Sequence, residues 1–358
     1  MLNVLDVSKG DKMQIKKLFN YNCPMHKGST TSIINGCSEG IINLNKLSYP
    51  WAYNLWEMML ANTWFPREVD LTEDARQYRN LLPAEKRMYD KALSQLIFMD
   101  SIQTNNTPDH VNPWITAPEV NMCLVRQAFE EALHSQSYAV MVDSISLNTD
   151  EIYEMWRADE NLRKKNEFIG NVYEEWGSKA LNGDDEAKIY MIVANQCLEG
   201  IYFYNGFASF YVLARAGKMI GSAQMIRFIQ RDEVTHTLLF ANIFKEIKKE
   251  FPHLFTEKVN QNIKEMIFAA YELERDWGFY ITNDEILGLS RELIDRFTKY
   301  LANKRANAMG LELLFPEVGL KNPISWFDSF SSFNDQKTNF FEGNVVNYSK
   351  GSLNLDDF

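Results

Sequence analysis

Five histidines occur in the 358-residue chain: His26, His110, His134, His236 and His253. Three of them close an E-x-x-H string, namely Glu131-x-x-His134, Glu233-x-x-His236 and Glu250-x-x-His253. On a helix, positions i and i+3 share a face, so each string would aim a carboxylate and an imidazole the same way. The third string contains Pro252, which interrupts a helix, and it is set aside. The first two lie in strongly apolar stretches. Phe129, Leu133, Ala139 and Val140 flank one, and Ile226, Ile229, Leu238 and Phe240 flank the other, which predicts an apolar face around each pair. Two further acids stand in equally apolar surroundings: Asp100 in LIFMDSI and Glu199 in NQCLEGIYFYNGF. A buried carboxylate is costly unless its charge is neutralised. Any one of these acids alone reads as a surface group on a helix edge. Four helices that each carry one such element read as four carboxylates and two imidazoles that converge.

That donor set suits two hard first-row metal ions. Oxygen-rich ligation with one nitrogen per ion favours iron or manganese over zinc or copper. Four carboxylates balance two divalent ions, and two trivalent ions leave a charge that one bridging oxo group cancels. Such a site can hold both oxidation levels, as oxygen activation requires. Tyr138 lies four residues after His134, on the same helix face and about one turn along. A phenol beside such a centre can lose an electron and a proton, and the radical lasts only where water and reductants are kept out. Phe203 and Phe207 follow Glu199 by four and eight residues, and Ile229 precedes Glu233 by four. These three are expected to face the site and form a dry pocket.

The elements that must position these groups are helical. Leu82-Pro83 opens a helix over AEKRMYDKALSQLIFMDSIQ, with apolar Met88, Ala92, Leu96 and Met99 at three- and four-residue steps, and Thr107-Pro108 is expected to end it. Pro118 opens a second, through DSI. Asp150 opens a third, through VYEEW, and Asp184-Asp185 a fourth that runs unbroken to Gly217. A fifth extends from about Ser222 to Glu250, stopped by Pro252, and two more cover about 254–278 and 284–308. Gly 17 and Pro 10 are both low, and few segments resemble strands. The expected architecture is all-α: an irregular N-terminal arm over 1–50, a helical bundle over 51–333, and a flexible, Asn/Ser/Gly/Lys-rich tail over 334–358.

Composition narrows the partners. Lys plus Arg total 37 against 48 for Asp plus Glu, a net charge of -11. Such a surface repels phosphate backbones, so nucleic acid is not an expected partner. The longest apolar run, around 203–214, is interrupted by Asn205 and Ser209 and is too short to span a bilayer. The opening MLNVLDVSKGDKMQIKK holds no apolar core of a secretory signal, and a cytoplasmic location is expected. Cys23, Cys37, Cys123 and Cys197 form no C-x-x-C pair. Neither a disulfide framework nor a zinc site is expected, and Cys123 and Cys197 fit apolar helical patterns as core residues.

One acid from each of two helices and an E-x-x-H pair from each of two others is the ligand pattern of ferritin-like dimetal-carboxylate bundles. The strings TWFPREVDLT, FMDSIQ, FEEALHSQSY, CLEGIYFY, RDEVTH and NPISWFD together resemble the radical-generating small (beta) subunit of class I ribonucleotide reductase, from about Trp51 to Phe330 and again in the tail. The resemblance implies that Asp100, Glu131 and His134 bind one metal and Glu199, Glu233 and His236 the other, with Glu131 and Glu233 bridging. It implies a di-iron cofactor, with dimanganese or manganese–iron as the other cofactors of the family. By the same likeness Tyr138 bears the radical and Trp64 belongs to the long-range electron route. Asp232 hydrogen-bonds between Trp64 and His134, and Tyr348 relays the radical from the tail.

The resemblance further implies a homodimer and a separate large (alpha) catalytic subunit. The tail, ending LNLDDF with Leu353, Leu355 and Phe358, would dock there. Oxygen or superoxide would oxidise the reduced centre, and the hole would move through His134, Asp232, Trp64 and Tyr348 to start reduction of a ribonucleotide to a deoxyribonucleotide. This chain has no phosphate-cradling Gly-rich loop for the nucleotide itself. Gln127 stands where some members carry a tryptophan, and its amide is expected to hydrogen-bond a ligand carboxylate. Two other functions could use the same scaffold. A dimetal oxidase or desaturase acting on its own substrate would have no need of the tail. An iron store is a second alternative, against which the extra helices and the tail count.

Overall fold

Prolines and capping side chains set where the helices begin. In chain order they are α1 (Pro50–Ala61), α2 (Thr72–Tyr78), α3 (Pro83–Asn106), α4 (Pro118–Ile145), α5 (Thr149–Ala158), α6 (Glu160–Leu181), α7 (Asp185–Cys197), α8 (Tyr204–Arg215), α9 (Ile220–Glu250), α10 (Glu257–Thr282), α11 (Arg291–Ala308) and α12 (Phe327–Ser331). This computed structural model describes residues 19–23, 32–37, 39–146 and 148–331. Tyr348 and the LNLDDF end lie outside the described residues. Pro50, Pro83 and Pro118 open α1, α3 and α4, where a missing N–H leaves no helix bond unmade. Asp159, Asp184, Thr256 and Ser290 cap α6, α7, α10 and α11, each accepting a backbone N–H of the first turn.

The long helices pack as a bundle. α3 lies against α4 and α8, and α9, 31 residues long, lies against α4, α7 and α8. α5 and α6 cover α3 and α7, and α10 and α11 pack on each other beside α7. The fold is ferritin-like and all-α, as expected. Among the described residues the only extended pairing is a single antiparallel bridge, Ile34 to Ile115. No described helix is long and apolar enough to cross a membrane.

The structure departs from the sequence reading at several points, among them the last long helix, which begins at Arg291 rather than near 284. The third expected helix is two, because Asp159 leaves the helical conformation to cap α6, and its Oδ2 accepts the Tyr280 hydroxyl at 2.6 Å. The fourth is also two. A π turn over Leu198–Tyr202 separates α7 from α8 and carries Glu199. α3 ends at Asn106, where Thr107-Pro108 was expected to end it. The chain continues through a π turn over Thr107–Val111, wider than the α ladder and so with room for the Pro108 ring.

Cys23 and Cys37, expected to be unpaired, are joined by a disulfide. Asn20 donates its backbone N–H to the Glu39 carbonyl at 3.0 Å, which sets the two segments side by side. That long-range pairing leaves no mark in the spacing. Cys123 and Cys197 are buried thiols, as the pattern indicated.

The discarded third string has a structural task. Glu250 accepts the Ile33 N–H at 2.9 Å on Oε2 and the Tyr49 hydroxyl at 2.5 Å on Oε1. It thereby fastens the arm, where Ile33 and Ile34 are fully buried, to the end of α9.

Candidate metal centre

Asp100 on α3, Glu131 and His134 on α4, Glu199 in the π turn and Glu233 and His236 on α9 are all completely buried. Their ligand atoms form two overlapping groups, Asp100–Glu131–His134–Glu233 and Glu131–Glu199–Glu233–His236, each with its atoms within 4.8 Å of one another. Glu131 and Glu233 belong to both groups.

The two shared acids divide their oxygens. Glu233 Oε1 lies 3.3 Å from His134 Nδ1, and its Oε2 lies 2.9 Å from His236 Nδ1. Glu131 does the same, with Oε2 at 3.6 Å from His134 Nδ1 and Oε1 at 3.1 Å from His236 Nδ1. Each end group then has one acid of its own. Asp100 Oδ1 is 3.0 Å from His134 Nδ1, and Glu199 Oε2 is 3.6 Å from His236 Nδ1. Every ring therefore turns Nδ1 inward to three carboxylates.

The charges fit a pair of cations. One oxygen on each of Asp100, Glu131, Glu199 and Glu233 is buried without a hydrogen bond. Buried acceptors of this kind need a partner, and two divalent ions would supply it. Without cations, burial pushes the Asp100 carboxyl well above its ordinary range, and Glu199 likewise, with Glu131 and Glu233 adding to the latter. Burial alone would lower His134, but its contacts with Asp100 and Asp232 override that and raise it. Protons therefore stand in for missing positive charge, and metal uptake must displace them. Six donors, oxygen-rich with one nitrogen per group, suit iron or manganese.

Around this cluster the packing fixes orientation. His134 Nε2, its outer nitrogen, lies 3.2 Å from Asp232 Oδ2, which accepts the Trp64 indole N–H at 2.7 Å. Gln127, one turn before Glu131, donates to Glu199 Oε1 at 2.7 Å and to Glu131 Oε1 at 3.3 Å. Tyr138 is fully buried. Burial, then the charges of Asp100 and Glu233, hold its phenol well above the ordinary value, so it stays protonated. Phe203, Phe207 and Ile229 are fully buried too, with the two phenyl rings stacked 5.7 Å apart.

Part of the apolar face predicted around the first string is wrong. Phe129 is 47% and Val140 37% exposed. Phe129 precedes Glu131 by two residues, about 200° around the helix, so it points away from the cluster.

Three polar residues near the centre gave no functional signal in the sequence. Gln103, one turn after Asp100, also donates to Glu199 Oε1, and to Asn195 at 2.7 Å. Glu130 and Arg126, spaced as an ordinary surface i,i+4 pair, are buried instead. Only the tertiary packing distinguishes these from solvated helix residues.

Comparison with known proteins agrees with this geometry. Residues 41–323 match the family described as "Ribonucleotide reductase, small chain". The chain is 40% identical to the ribonucleoside-diphosphate reductase subunit beta of Treponema pallidum over 353 residues, covering 96% of this chain and 98% of that one. It is 36% identical to the subunit of the same name from Halalkalibacterium halodurans over 344 residues, covering 96% and 97%. Its structure resembles the ribonucleotide reductase R2 subunit from Clostridium botulinum with a TM-score of 0.84 and 42% identity, covering 89% of this chain and 99% of that one.

Proposed function

The chain belongs to the ribonucleotide reductase small-chain family, and from that premise we propose that Tyr138 stores a one-electron oxidising equivalent for a separate catalytic subunit. It is an oxidoreductase, a ribonucleoside-diphosphate reductase beta subunit. Asp100, Glu131 and His134 would hold one metal ion and Glu199, Glu233 and His236 the other, with Glu131 and Glu233 between them. When bound, the ion pair supplies the one-electron oxidation of a buried phenol. We take the pair to be di-iron; dimanganese or manganese–iron would use the same donors.

The observation that carries the reading is the unbroken chain from His134 Nε2 through Asp232 Oδ2 to the Trp64 indole. With His134 donating from Nε2, as metal ligation through Nδ1 would require, Asp232 accepts the imidazole and indole protons on one oxygen, so electron loss at Trp64 and proton movement at Asp232 can be coupled. The dry surroundings of Tyr138 keep water from quenching an oxidised phenol. Tyr348 and the tail would carry the hole onward to the large subunit, where a ribonucleotide becomes a deoxyribonucleotide. The acting form is proposed to be a cytoplasmic homodimer, with neither nucleic acid nor membrane as a partner.

One electron paramagnetic resonance spectrum with elemental analysis, on protein from its own cells, tests the cofactor and the radical together. The expected result is two metal ions per chain and an organic radical signal. Deleting residues 345–358 should leave both intact and abolish turnover with the large subunit. Full turnover without the tail would favour a dimetal oxidase that acts alone.

A further inference from the structure

Residues 32–37 of the arm form a strap across the ends of three helices. At the entry to α4, Ile34 pairs with Ile115, and the Thr116 N–H reaches the Ile33 carbonyl at 2.9 Å. The Thr116 hydroxyl donates to the Ser32 carbonyl at 2.6 Å and accepts the Gly36 N–H at 3.0 Å. Over the first turn of α7, the Asn35 amide donates to the Asp185 carboxylate at 2.9 Å and accepts from Lys188 Nζ at 2.7 Å. At the end of α9, Glu250 takes the Ile33 N–H. α4 and α9 carry Glu131, His134, Glu233 and His236, and α7 leads directly into the turn that holds Glu199. One short segment thus ties the ends of the elements that present all the cluster residues except Asp100.

The strap lies inside the loop that the Cys23–Cys37 bond closes, 14 residues apart in sequence. Such a link removes open arrangements of the loop and so favours the seated one. A permanent staple is the plain alternative. Staples of that kind belong chiefly to small secreted domains that lack a sufficient core. This chain has a continuous buried core that runs from Ile33 to Phe327. Its proposed cytoplasmic location is reducing, and disulfides there are usually transient. Access fits exchange: Cys37 is exposed and Cys23 half-buried, whereas Cys123 and Cys197 are buried free thiols.

We propose that Cys23 and Cys37 are a thiol–disulfide exchange site for a dithiol reductant, and that the closed bond keeps the 32–37 strap seated on α4, α7 and α9. In the opening direction, a thiolate of the reductant bonds to the exposed Cys37 Sγ. The Cys23–Cys37 bond breaks, and Cys23 leaves as a thiolate that takes up a proton. The second thiolate of the reductant then displaces Cys37, which is protonated in turn. The reductant ends as a disulfide and the chain as two thiols, having gained two electrons and two protons. Closing is the reverse, with an oxidised dithiol as the acceptor. The hold on the metal-bearing helices rests on the two-metal reading; the exchange site does not.

The test uses the full-length chain, equilibrated with reduced or oxidised dithiothreitol, with free thiols alkylated in the folded state and located by peptide mass. Reduced dithiothreitol should make Cys23 and Cys37 alkylate, and the oxidised form should close them again. On reduction, amide hydrogen exchange over 32–37 should quicken by about tenfold or more. The Cys23→Ser/Cys37→Ser chain should exchange like reduced wild type in either buffer. Loaded with manganese(II), that variant should release the ion to a chelator severalfold faster than oxidised wild type does. The proposal is overturned if the oxidised chain keeps both thiols free, or if dithiothreitol fails to open the bond in the folded chain. It is also overturned if exchange over 32–37 is the same in every form. Equal manganese release from both chains would overturn the hold on the metal-bearing helices. A wild-type chain that binds no manganese would overturn the two-metal reading instead, with alkylation and hydrogen exchange still deciding the exchange site.

Discussion

Trp64 and His134 share one carboxylate oxygen. Asp232 Oδ2 accepts the indole N–H at 2.7 Å and lies 3.2 Å from His134 Nε2. The two rings also lie nearly parallel, with centroids 6.4 Å apart and an interplanar angle of 25°. Trp64 also stacks on Phe228, with ring centroids 5.0 Å apart. Replacing Trp64 by Phe keeps a ring against Phe228 but removes the N–H and the readily oxidised indole. Metal content and the radical signal should stay within about twofold of wild type, while turnover with the large subunit falls to background. Parallel radical quantitation and reductase assays check this; turnover near wild type would remove Trp64 from the route.

Tyr138→Phe separates the phenol from the metal centre. The hydroxyl makes no hydrogen bond of normal geometry, Asp100 being the acid that it faces, so its loss strands no donor. Folding and uptake of two ions should be unchanged, with stability within about 0.5 kcal/mol of wild type. The organic radical signal and turnover should both vanish. Calorimetry, metal analysis and a resonance spectrum on one preparation decide the matter, and a fully active variant would sink the tyrosyl mechanism.

Why the cluster was legible while its surroundings were not follows from the geometry of helices. Glu131–His134 and Glu233–His236 announce themselves because i and i+3 share a face. Asp100 stands out because a charge in LIFMDSI has nowhere polar to go. Glu199 was found by the same logic, yet the turn that carries it was not, because a π turn adds no distinctive residue to an apolar run. Glu130 and Arg126 have the spacing of an exposed pair, and only the closeness of α9 reveals that they are buried. The Cys23–Cys37 pairing depends on a backbone contact between Asn20 and Glu39. The element boundaries were right at Pro118 and Asp184, which open apolar runs. They were wrong at Asp159, a cap in a charged stretch that gave no contrast, and at Ser290, which caps α11 where a helix was expected from about 284.

Gly200 tests the turn itself. It follows Glu199 directly, and a Cβ built there would run into the Arg305 side chain, 2.7 Å from Nε and closer still to Cδ. Arg305 is buried and has little freedom to retreat. Gly200→Ala should destabilise the metal-free protein by about 1–3 kcal/mol through overpacking. The displaced turn should also carry Glu199 off its position, weakening metal uptake beyond what the stability loss explains. Urea unfolding and manganese(II) titration are the two measurements. Wild-type behaviour in both would show that the turn tolerates a side chain.

Lys165 and Glu274 make a buried pair beside the π turn, with Nζ and Oε2 2.5 Å apart and the ammonium 5.5 Å from the Tyr202 ring centre. Glu274 Oε1 also accepts the Asn205 N–H at 3.2 Å, and the ammonium lies 5.0 Å from the Trp277 ring centre. Burial pushes the Glu274 carboxyl from its ordinary 4.5 up to about 7, against the opposing pull of Lys165. Burial likewise lowers the Lys165 ammonium. The sign for Glu274 is that of a raised acid. Its stabilising share is complete below pH 4.5, where both states hold the proton. It is lost as the pH rises to about 7, because the unfolded chain has released the proton and the folded chain has not. Lys165→Met removes the cation and leaves the carboxylate buried alone, which typically costs about 3–5 kcal/mol. That cost should be fully felt at about pH 8, where keeping the acid neutral means holding a proton against solution. At about pH 5 the folded acid is already neutral, so the loss should be markedly smaller. Adding Glu274→Gln to Lys165→Met should remove most of the difference between the two pH values. Urea unfolding of the three proteins at both pH values is the measurement, and an equal loss at each would mean that Glu274 does not titrate in this window.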